Sequence, residues 1–252
     1  MKSLFPAIGL IAYSFTAISS LEMSKDSLEA DQIVLEEVFV SAVRVTKEST
    51  VTFTNLTNEQ LKPRNLGQDI PILLNYMPAV VTTSDAGAGV GYTGIRVGVI
   101  DDTLVNLTFN CLPYIDSESL GTFWLNMPDF ASSTEILQLQ RGVGTSTNGA
   151  GAFGASLNLA TDGVSAEAYG QISSSFGSFN TLRNNLKFST GLLNDHIEVS
   201  GRLSRITSDG YIDRASSELD SYFLQGAFEN KNTLLKALFF GGHEITYQAW
   251  YG

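Results

Sequence analysis

Side chains that could bind a metal or act as a nucleophile are scarce in this chain. The sequence contains one cysteine, Cys111, and two histidines, His196 and His243. A zinc site needs about four Cys, His or acidic ligands, and a disulfide framework needs paired cysteines. His196 falls on the polar side of a predicted strand, where we expect a hydrogen-bonding role rather than iron or haem binding. No serine, histidine and acid occur together in a catalytic motif, so we expect neither enzymatic activity nor a cofactor.

A glycine-rich segment over residues 141–154 could be taken for a phosphate-binding loop. Such loops place backbone N–H groups of a helix N-terminus against the phosphate. Here no Gly-Lys-Ser/Thr follows the glycines, and the next predicted element is a strand rather than a helix. The segment is therefore not predicted to bind phosphate.

The composition limits the classes of protein to which the chain can belong. It has 252 residues with 15 basic and 26 acidic side chains, a net charge of −11. Binding to duplex nucleic acid requires an excess of Lys and Arg, so we expect no nucleic-acid partner. The chain is 43% apolar and only 16% charged, with 23 glycines. This composition indicates a β-rich protein with many turns.

The first residues have the pattern of an export signal. Lys2 precedes an apolar run over residues 4–17, which ends in mainly small residues. This pattern predicts a signal peptide over residues 1–19, with a membrane anchor or a disordered terminus as the alternatives. The run is shorter than the roughly 20 apolar residues of a transmembrane helix. An exported chain of this kind could enter a membrane only through strands.

The middle of the chain predicts a small α+β domain over residues 51–163. Thr57 and Gln60 have the spacing of a capping box. Apolar residues at helical spacing predict a helix over residues 67–77, ended by Pro78. Two runs, 95–100 and 104–109, predict a hairpin across Asp101 and Asp102. Further short strands are predicted over residues 136–140 and 156–159.

From Ala168 onward, the chain alternates between apolar and polar residues in runs of about ten, which is typical of outer-membrane β-barrels. Soluble β-sandwiches alternate as well and remain the alternative interpretation. The export signal favours the barrel, as do aromatic residues near the predicted strand ends, including Phe176, Tyr211 and Tyr222.

Several long stretches resemble the TonB-dependent outer-membrane receptors, of the iron-complex receptor type common in Bacteroidetes-like bacteria. They are residues 65–71, 77–81, 84–96, 123–130, 140–154, 176–180 and 208–214. The resemblance runs from about Leu35 to the end of the chain. It implies a periplasmic tail over residues 20–50, an α+β plug domain over 51–163, and antiparallel transmembrane β-barrel strands over 164–252, with the barrel incomplete in this chain.

The resemblance also implies energised uptake of a small molecule, with TonB of the inner-membrane complex and outer-membrane lipid as partners. The TonB box would be formed by Glu36, Glu37, Val38, Phe39, Val40, Ser41 and Ala42. A β-prone segment in a flexible tail can add as a strand to a partner's sheet through backbone hydrogen bonds. The alternative is that Val38–Val40 forms the first strand of the plug.

Ligand contact is assigned by the resemblance to outward loops of the plug. The candidates are Ser84, Asp85, Tyr92, Asp101, Asp102, Phe123 and Trp124. Phe123 and Trp124 could stack on a flat or apolar ligand, or they could pack between plug and barrel. Arg141 is expected to connect plug and barrel, with Glu198 or Glu229 as its partner. The expected ligand is an iron-siderophore or a related iron complex, although haem, cobalamin and oligosaccharide receptors share this plug.

The chain departs from the family pattern in two places and in its length. Residues 97–100 replace an arginine-glycine pair, and Asn110-Cys111 replaces an asparagine-glycine turn, where cysteine tolerates a positive φ poorly. A barrel that holds a plug has about 22 strands, and only five or six are predicted here. We therefore expect a fragment or a truncated relative, and the alternative is an exported plug-like binding module without transport activity. A soluble β-rich adhesin is a third interpretation.

Overall fold

A computed structural model describes Val45 and residues 50–98, 100, 102–116, 118–143 and 152–247. The predicted signal peptide and the predicted TonB box lie outside these residues. Within them, no helix is long and apolar enough to cross a membrane. The chain is organised around two large β-sheets and a two-stranded hairpin.

The part of the chain from β1 to β7, called the N-terminal domain below, is built on a mixed five-stranded sheet. Its strands are β1 (Phe53–Thr57), β4 (Val105–Phe109), β5 (Leu112–Pro113), β6 (Thr134–Arg141) and β7 (Ala155–Thr161). Their spatial order is β1-β6-β7-β4-β5, with β4 and β7 parallel and the other pairs antiparallel. Every residue of β7 is buried, because other elements cover both faces of the sheet. The core contains Leu107, Leu137, Leu139 and Leu157, all at most 1% exposed.

Two short helices flank this sheet, α1 (Asn58–Leu61) and α2 (Ile70–Leu73). The capping box that starts α1 is confirmed, because the Thr57 N–H donates to Gln60 Oε1 at 3.1 Å. α2 is much shorter than the predicted helix over 67–77. Gly67 has a φ of 112°, which no helical residue adopts, and the N–H of Met77 bonds to the carbonyl of Leu74, three residues back. The apolar residues with helical spacing therefore lie in one helical turn followed by a series of separate turns.

The predicted hairpin across Asp101 and Asp102 is wrong. β3 (Thr93–Val97) pairs instead with the upstream strand β2 (Val80–Ser84), and β4 lies in the large sheet beside β7. The reason is a tight reversal at Gly98, which has a φ of 68° and ends β3 before the acidic pair is reached. All five residues of β4 are buried. A position inside the large sheet covers both faces of β4, which an edge hairpin would not do.

The C-terminal sheet consists of five long antiparallel strands in sequence order. They are β8 (Ala168–Phe176), β9 (Leu182–Thr190), β10 (Ile197–Ser208), β11 (Ser217–Asn230) and β12 (Thr233–Thr246). The predicted alternating strands are therefore confirmed. Connections are short turns except for the loop at 209–216, and all neighbours in the sheet are neighbours in the sequence.

The two faces of the C-terminal sheet reverse the usual arrangement of a soluble protein. Apolar side chains point outward, with Ile172 79% and Leu203 54% exposed. Polar side chains point toward the N-terminal domain, where Arg202, Glu198 and Gln225 are at most 2% exposed. A soluble sandwich buries the apolar face of each sheet. This sheet instead buries a largely polar face and presents an apolar one.

Candidate functional site

A cavity of about 280 Å³ lies at one end of the N-terminal domain. It is enclosed by the loop between β2 and β3, the 3-10 turn Asp102–Leu104 and the segment 119–125. Five of the seven predicted ligand residues line it: Asp85, Tyr92, Asp102, Phe123 and Trp124. The fold thus brings together side chains from three separate segments, and their contact with a ligand remains a prediction.

The β2–β3 loop is held in shape by its own hydrogen bonds. The Gly89 N–H donates to Ser84 Oγ at 3.0 Å, and the Asp85 N–H donates to the Tyr92 carbonyl at 3.0 Å. Ser84 therefore shapes the loop, and it is absent from the described lining of the cavity. Asp101, the remaining predicted residue, lies outside the described residues.

The two aromatic residues of the third segment have different environments. Phe123 is 45% exposed, whereas Trp124 is 3% exposed and belongs to a core cluster that includes Phe223 and Leu238 of the C-terminal sheet. Trp124 therefore packs between the N-terminal domain and the C-terminal sheet, whereas the ring of Phe123 is accessible for stacking on a ligand.

The cavity is acidic and rich in hydroxyl groups. Asp85 and Asp102 contribute carboxylates, and no lysine or arginine appears among the described lining residues. The hydroxyl groups come from Thr83, Thr93, Thr103, Ser119 and Thr122. Such a lining favours ligands that carry positive charge or hydrogen-bond donors and disfavours anions.

Asp69, at the N-terminus of α2, contacts Thr93 of the cavity lining. It is 3% exposed, and its Oδ2 accepts a hydrogen bond from Thr93 Oγ1 at 2.8 Å. Its N–H donates to the Gly89 carbonyl at 3.0 Å, which ties α2 to the β2–β3 loop. Burial raises the pKa of Asp69 well above its ordinary value, because the hydrogen bond from Thr93 only partly offsets the lost hydration.

Arg141 does not make the predicted contact with the barrel in the part of the chain that the structure describes. Its Nε donates to the Pro78 carbonyl at 3.2 Å and its Nη2 to Thr54 Oγ1 at 2.8 Å, both within the N-terminal domain. Glu198, a proposed partner, accepts instead from Ser189 Oγ at 2.5 Å. At the end of β6, the arginine reaches sideways over β1, so it braces the N-terminal domain itself.

The contact between the two units is centred on Asp129, which sequence reasoning did not single out. This residue is 1% exposed, and its Oδ2 accepts bonds from Arg183 Nε at 3.0 Å, Asn185 Nδ2 at 2.6 Å and Ser204 Oγ at 2.6 Å. Arg202 Nη1 lies 3.4 Å from the same oxygen. All four of these partners stand at polar positions of the alternating strands β9 and β10. The alternating pattern therefore gave a sequence signal for the partners on the C-terminal sheet, but no signal for Asp129 itself.

The backbone around Asp129 is anchored as well. Arg202 Nη1 donates to the carbonyls of Pro128, at 3.2 Å, and of Asp129, and Ser221 Oγ donates to the Pro128 carbonyl at 3.0 Å. Burial alone would raise the pKa of Asp129, but the charges of Arg202 and Arg183 outweigh it and hold that pKa below its ordinary value. Asp129 is therefore an ionised carboxylate that connects the N-terminal domain to two strands of the sheet.

Comparison with known proteins gives matches only at the level of solved structures. No protein-family model matches the sequence, and no curated protein does. The ferripyoverdine receptor of the outer membrane of Pseudomonas aeruginosa matches with a TM-score of 0.62 and 15% identity, over 76% of this chain and 25% of that one. The siderophore receptor PirA from Acinetobacter baumannii matches with 0.60 and 18%, over 80% and 33%. The copper transporter OprC matches with 0.66 and 13%, over 81% and 33%.

The chain thus spans about a quarter to a third of the length of these proteins. At identities this low, the likeness establishes the fold. The N-terminal domain and the C-terminal sheet have the plug and barrel-strand fold of outer-membrane receptors, over part of the length of such proteins.

Proposed function

We propose that this protein acts in the outer membrane as a TonB-dependent receptor for the uptake of an iron-siderophore or a related iron complex. The observation that carries the proposal is the reversed C-terminal sheet, with apolar side chains exposed and polar ones buried against the N-terminal domain. Lipid covers such an apolar face, and a plug covers such a polar one. The structural likeness to siderophore receptors and a copper transporter supports the same function.

The proposed location is tested by fractionation of the cell envelope after expression with residues 1–19 intact. We expect the protein in the outer-membrane fraction, because lipid covers the exposed apolar face of the C-terminal sheet. Recovery from the soluble periplasmic fraction would contradict the proposal.

The proposed partnership with TonB is tested at Glu36–Ala42. A photo-crosslinker at Phe39 should yield an adduct with TonB, and Val38→Pro should abolish it, because proline removes a backbone donor that strand addition requires. Ser27→Pro, in the same tail but outside the box, is the matched control and should leave the adduct unchanged. An adduct that survives Val38→Pro would argue against strand addition.

Within this function, we assign ligand contact to the loop cavity, with Phe123 as the stacking side chain and Asp85 as the charged one. The assignment is supported by the meeting of these residues in one cavity and by the exposure of Phe123. Phe123→Ala should weaken binding of the iron complex, measured by quenching of intrinsic fluorescence. The matched control is Phe153→Ala, which alters a similarly exposed ring outside the described lining of the cavity.

A further inference from the structure

A second cavity lies between the N-terminal domain and the polar face of the C-terminal sheet. It has a volume of about 260 Å³, which is room for several groups of the size of a water molecule at about 30 Å³ each. Its described lining includes no carboxylate and three cations, Lys62, Arg183 and Lys187. Most of the other lining residues carry amide or hydroxyl groups. We call this space the interface cavity, and its charge is opposite to that of the loop cavity.

The buried charges beside the interface cavity do not balance. Arg183 and Arg202 share the single carboxylate of Asp129, so one negative charge faces two guanidinium groups. The Nε of Arg202 is buried and has no hydrogen-bond partner in the part of the chain that the structure describes. Glu198 stands on the same face of β10, but four positions from Arg202, or about 13 Å along the strand. The group around Asp129 therefore keeps an excess positive charge, which is costly to bury without a partner.

Two lysines add hydrogen-bond donors to this excess. Lys187 Nζ lies 2.7 Å from Asp162 Oδ2 and donates to the Ser132 carbonyl at 3.1 Å, which leaves one N–H of the ammonium unused. Lys62 directly follows α1 and is exposed. Its ammonium has no partner among the described residues, Glu59 of the same helix included. The interface cavity therefore has a full unpaired positive charge at Lys62.

The polar face of β8 supplies further donors next to these lysines. Gln171 stands directly opposite Lys187, and Ser173 stands two positions further along β8. Both side chains line the interface cavity, and neither has a hydrogen-bond partner among the residues that the structure describes. Opposite residues of an antiparallel pair have Cβ atoms about 4.5–5.5 Å apart. One bound group can therefore reach the unused donors of Gln171, Ser173 and Lys187, with Lys62 on the facing domain.

We infer that the interface cavity binds a small oxyanion of the phosphate or sulfate type. Such an anion accepts several hydrogen bonds at once and carries the negative charge that this interface lacks. Lys62 contacts the anion from the N-terminal domain, and three side chains contact it from the C-terminal sheet: Gln171, Ser173 and Lys187. The anion connects the two units beside the ion pairs of Asp129, whatever ligand the loop cavity binds.

Isothermal titration calorimetry with inorganic phosphate, at constant ionic strength and on the protein purified in mild detergent, tests this site. We expect one saturable site at which sulfate competes and chloride does not, because only an oxyanion can accept from donors on both sides of the cavity. Lys62→Gln should weaken phosphate binding by about tenfold, the effect of one lost hydrogen bond to a charged group. Ser173→Ala should weaken it by about threefold, and Lys62→Arg should retain most of it.

Lys231→Gln is the matched control, because it removes the same charge at the exposed β11–β12 turn. It should leave phosphate binding unchanged, and both glutamine variants should keep the urea midpoint of the wild type without phosphate. The absence of saturable phosphate binding in the wild type would overturn the inference. Binding that survives unchanged in both Lys62→Gln and Ser173→Ala would overturn it as well. So would an equal loss in Lys231→Gln, since that result would indicate attraction to the overall charge alone.

Discussion

At the scale of single residues, Asp129 is the position at which one substitution should have the largest effect. Asp129→Asn would leave Arg183 and Arg202 buried without a carboxylate, and breaking a buried ion pair in this way costs about 3–5 kcal/mol. We expect a matching fall in the free energy of unfolding in urea. Asp195→Asn changes the same groups at an exposed turn and should cost little. A loss below about 1 kcal/mol in Asp129→Asn, as for a surface pair, would argue against the role given to Asp129.

The same residue predicts a dependence of stability on pH. The pKa of Asp129 is lower in the folded chain than its ordinary value of 3.8. Its contribution to stability is therefore complete above the ordinary pKa and is lost as the pH falls through the folded one. Urea midpoints measured from neutral to acid pH should decline for the wild type, and the part of this decline that comes from Asp129 should be missing in Asp129→Asn.

Asp69 predicts the opposite dependence. Its pKa is raised above the ordinary value of 3.8, so the folded state holds a proton that the unfolded state releases. Stability from this group is complete below the ordinary pKa and is lost as the pH rises through the raised one. Asp69→Asn mimics the protonated form and still accepts from Thr93, so it should stabilise the protein at neutral and higher pH. An unchanged pH profile would show that the raised pKa has no energetic consequence.

Cys111 marks a turn that the sequence does not favour. Asn110 and Cys111 have φ values of 44° and 70° in the two-residue connection between β4 and β5. Glycine adopts this conformation without a penalty, whereas a residue with a Cβ pays about 1–2 kcal/mol. Cys111→Gly should therefore stabilise the protein by about 1 kcal/mol, measured by urea unfolding. Cys111→Ser keeps the Cβ and should bring no such gain, which separates backbone strain from the chemistry of the thiol.

At the scale of elements, the sequence predicted strands better than their partners. The five strands of the C-terminal sheet follow from alternation, and they pair with their sequence neighbours, so local pattern and topology agree. In the N-terminal domain, β4 pairs with β7 about 50 residues away, and no local pattern encodes that pairing. The predicted hairpin at Asp101 was wrong for this reason. An acidic pair between two apolar runs is an ordinary turn signal, but here the chain already reverses at Gly98.

The candidate site shows the same division. The loops that form the cavity were chosen by resemblance to a receptor family, and the fold brings Asp85, Asp102 and Phe123 of these loops around one cavity. Asp129 was missed because a contact between two units depends on which residues face each other across the interface. Arg183 and Arg202 stand at polar positions of alternating strands, but only the three-dimensional arrangement shows that both meet Asp129.

The reversed faces of the C-terminal sheet give a prediction for β10. Leu203 and Thr207 lie on the same outward face, one within the apolar region and one near the strand end. Arginine in the middle of a lipid-facing strand costs about 2–4 kcal/mol, and about 0–1 near the interface. Leu203→Arg should therefore destabilise the protein in lipid vesicles much more than Thr207→Arg does. Equal effects of the two substitutions would mean that lipid does not cover this face.

At the scale of the whole molecule, charges of opposite sign lie in different places: negative charge in the loop cavity and positive charge in the buried interface around Asp129. The guanidinium groups of Arg183 and Arg202 are buried and pair with Asp129, whereas the described lining of the loop cavity carries only negative charge. A ligand that enters from the cavity side thus meets carboxylates first. For the iron complex that we propose as the ligand, charge more than size should decide whether this end of the protein binds it.

This separation can be tested with three iron complexes of different charge on the protein purified in detergent. A cationic ferric hydroxamate should bind more tightly than ferric citrate or a ferric catecholate, both of which are anionic, by about tenfold at low salt. Asp85→Asn should narrow the difference, because it removes a carboxylate from the cavity without changing its shape. Asp195→Asn, at a distant exposed turn, should leave the ranking unchanged. Tighter binding of the anionic catecholate in the wild type would place the ligand outside this cavity, since carboxylates cannot attract an anion without a bridging cation.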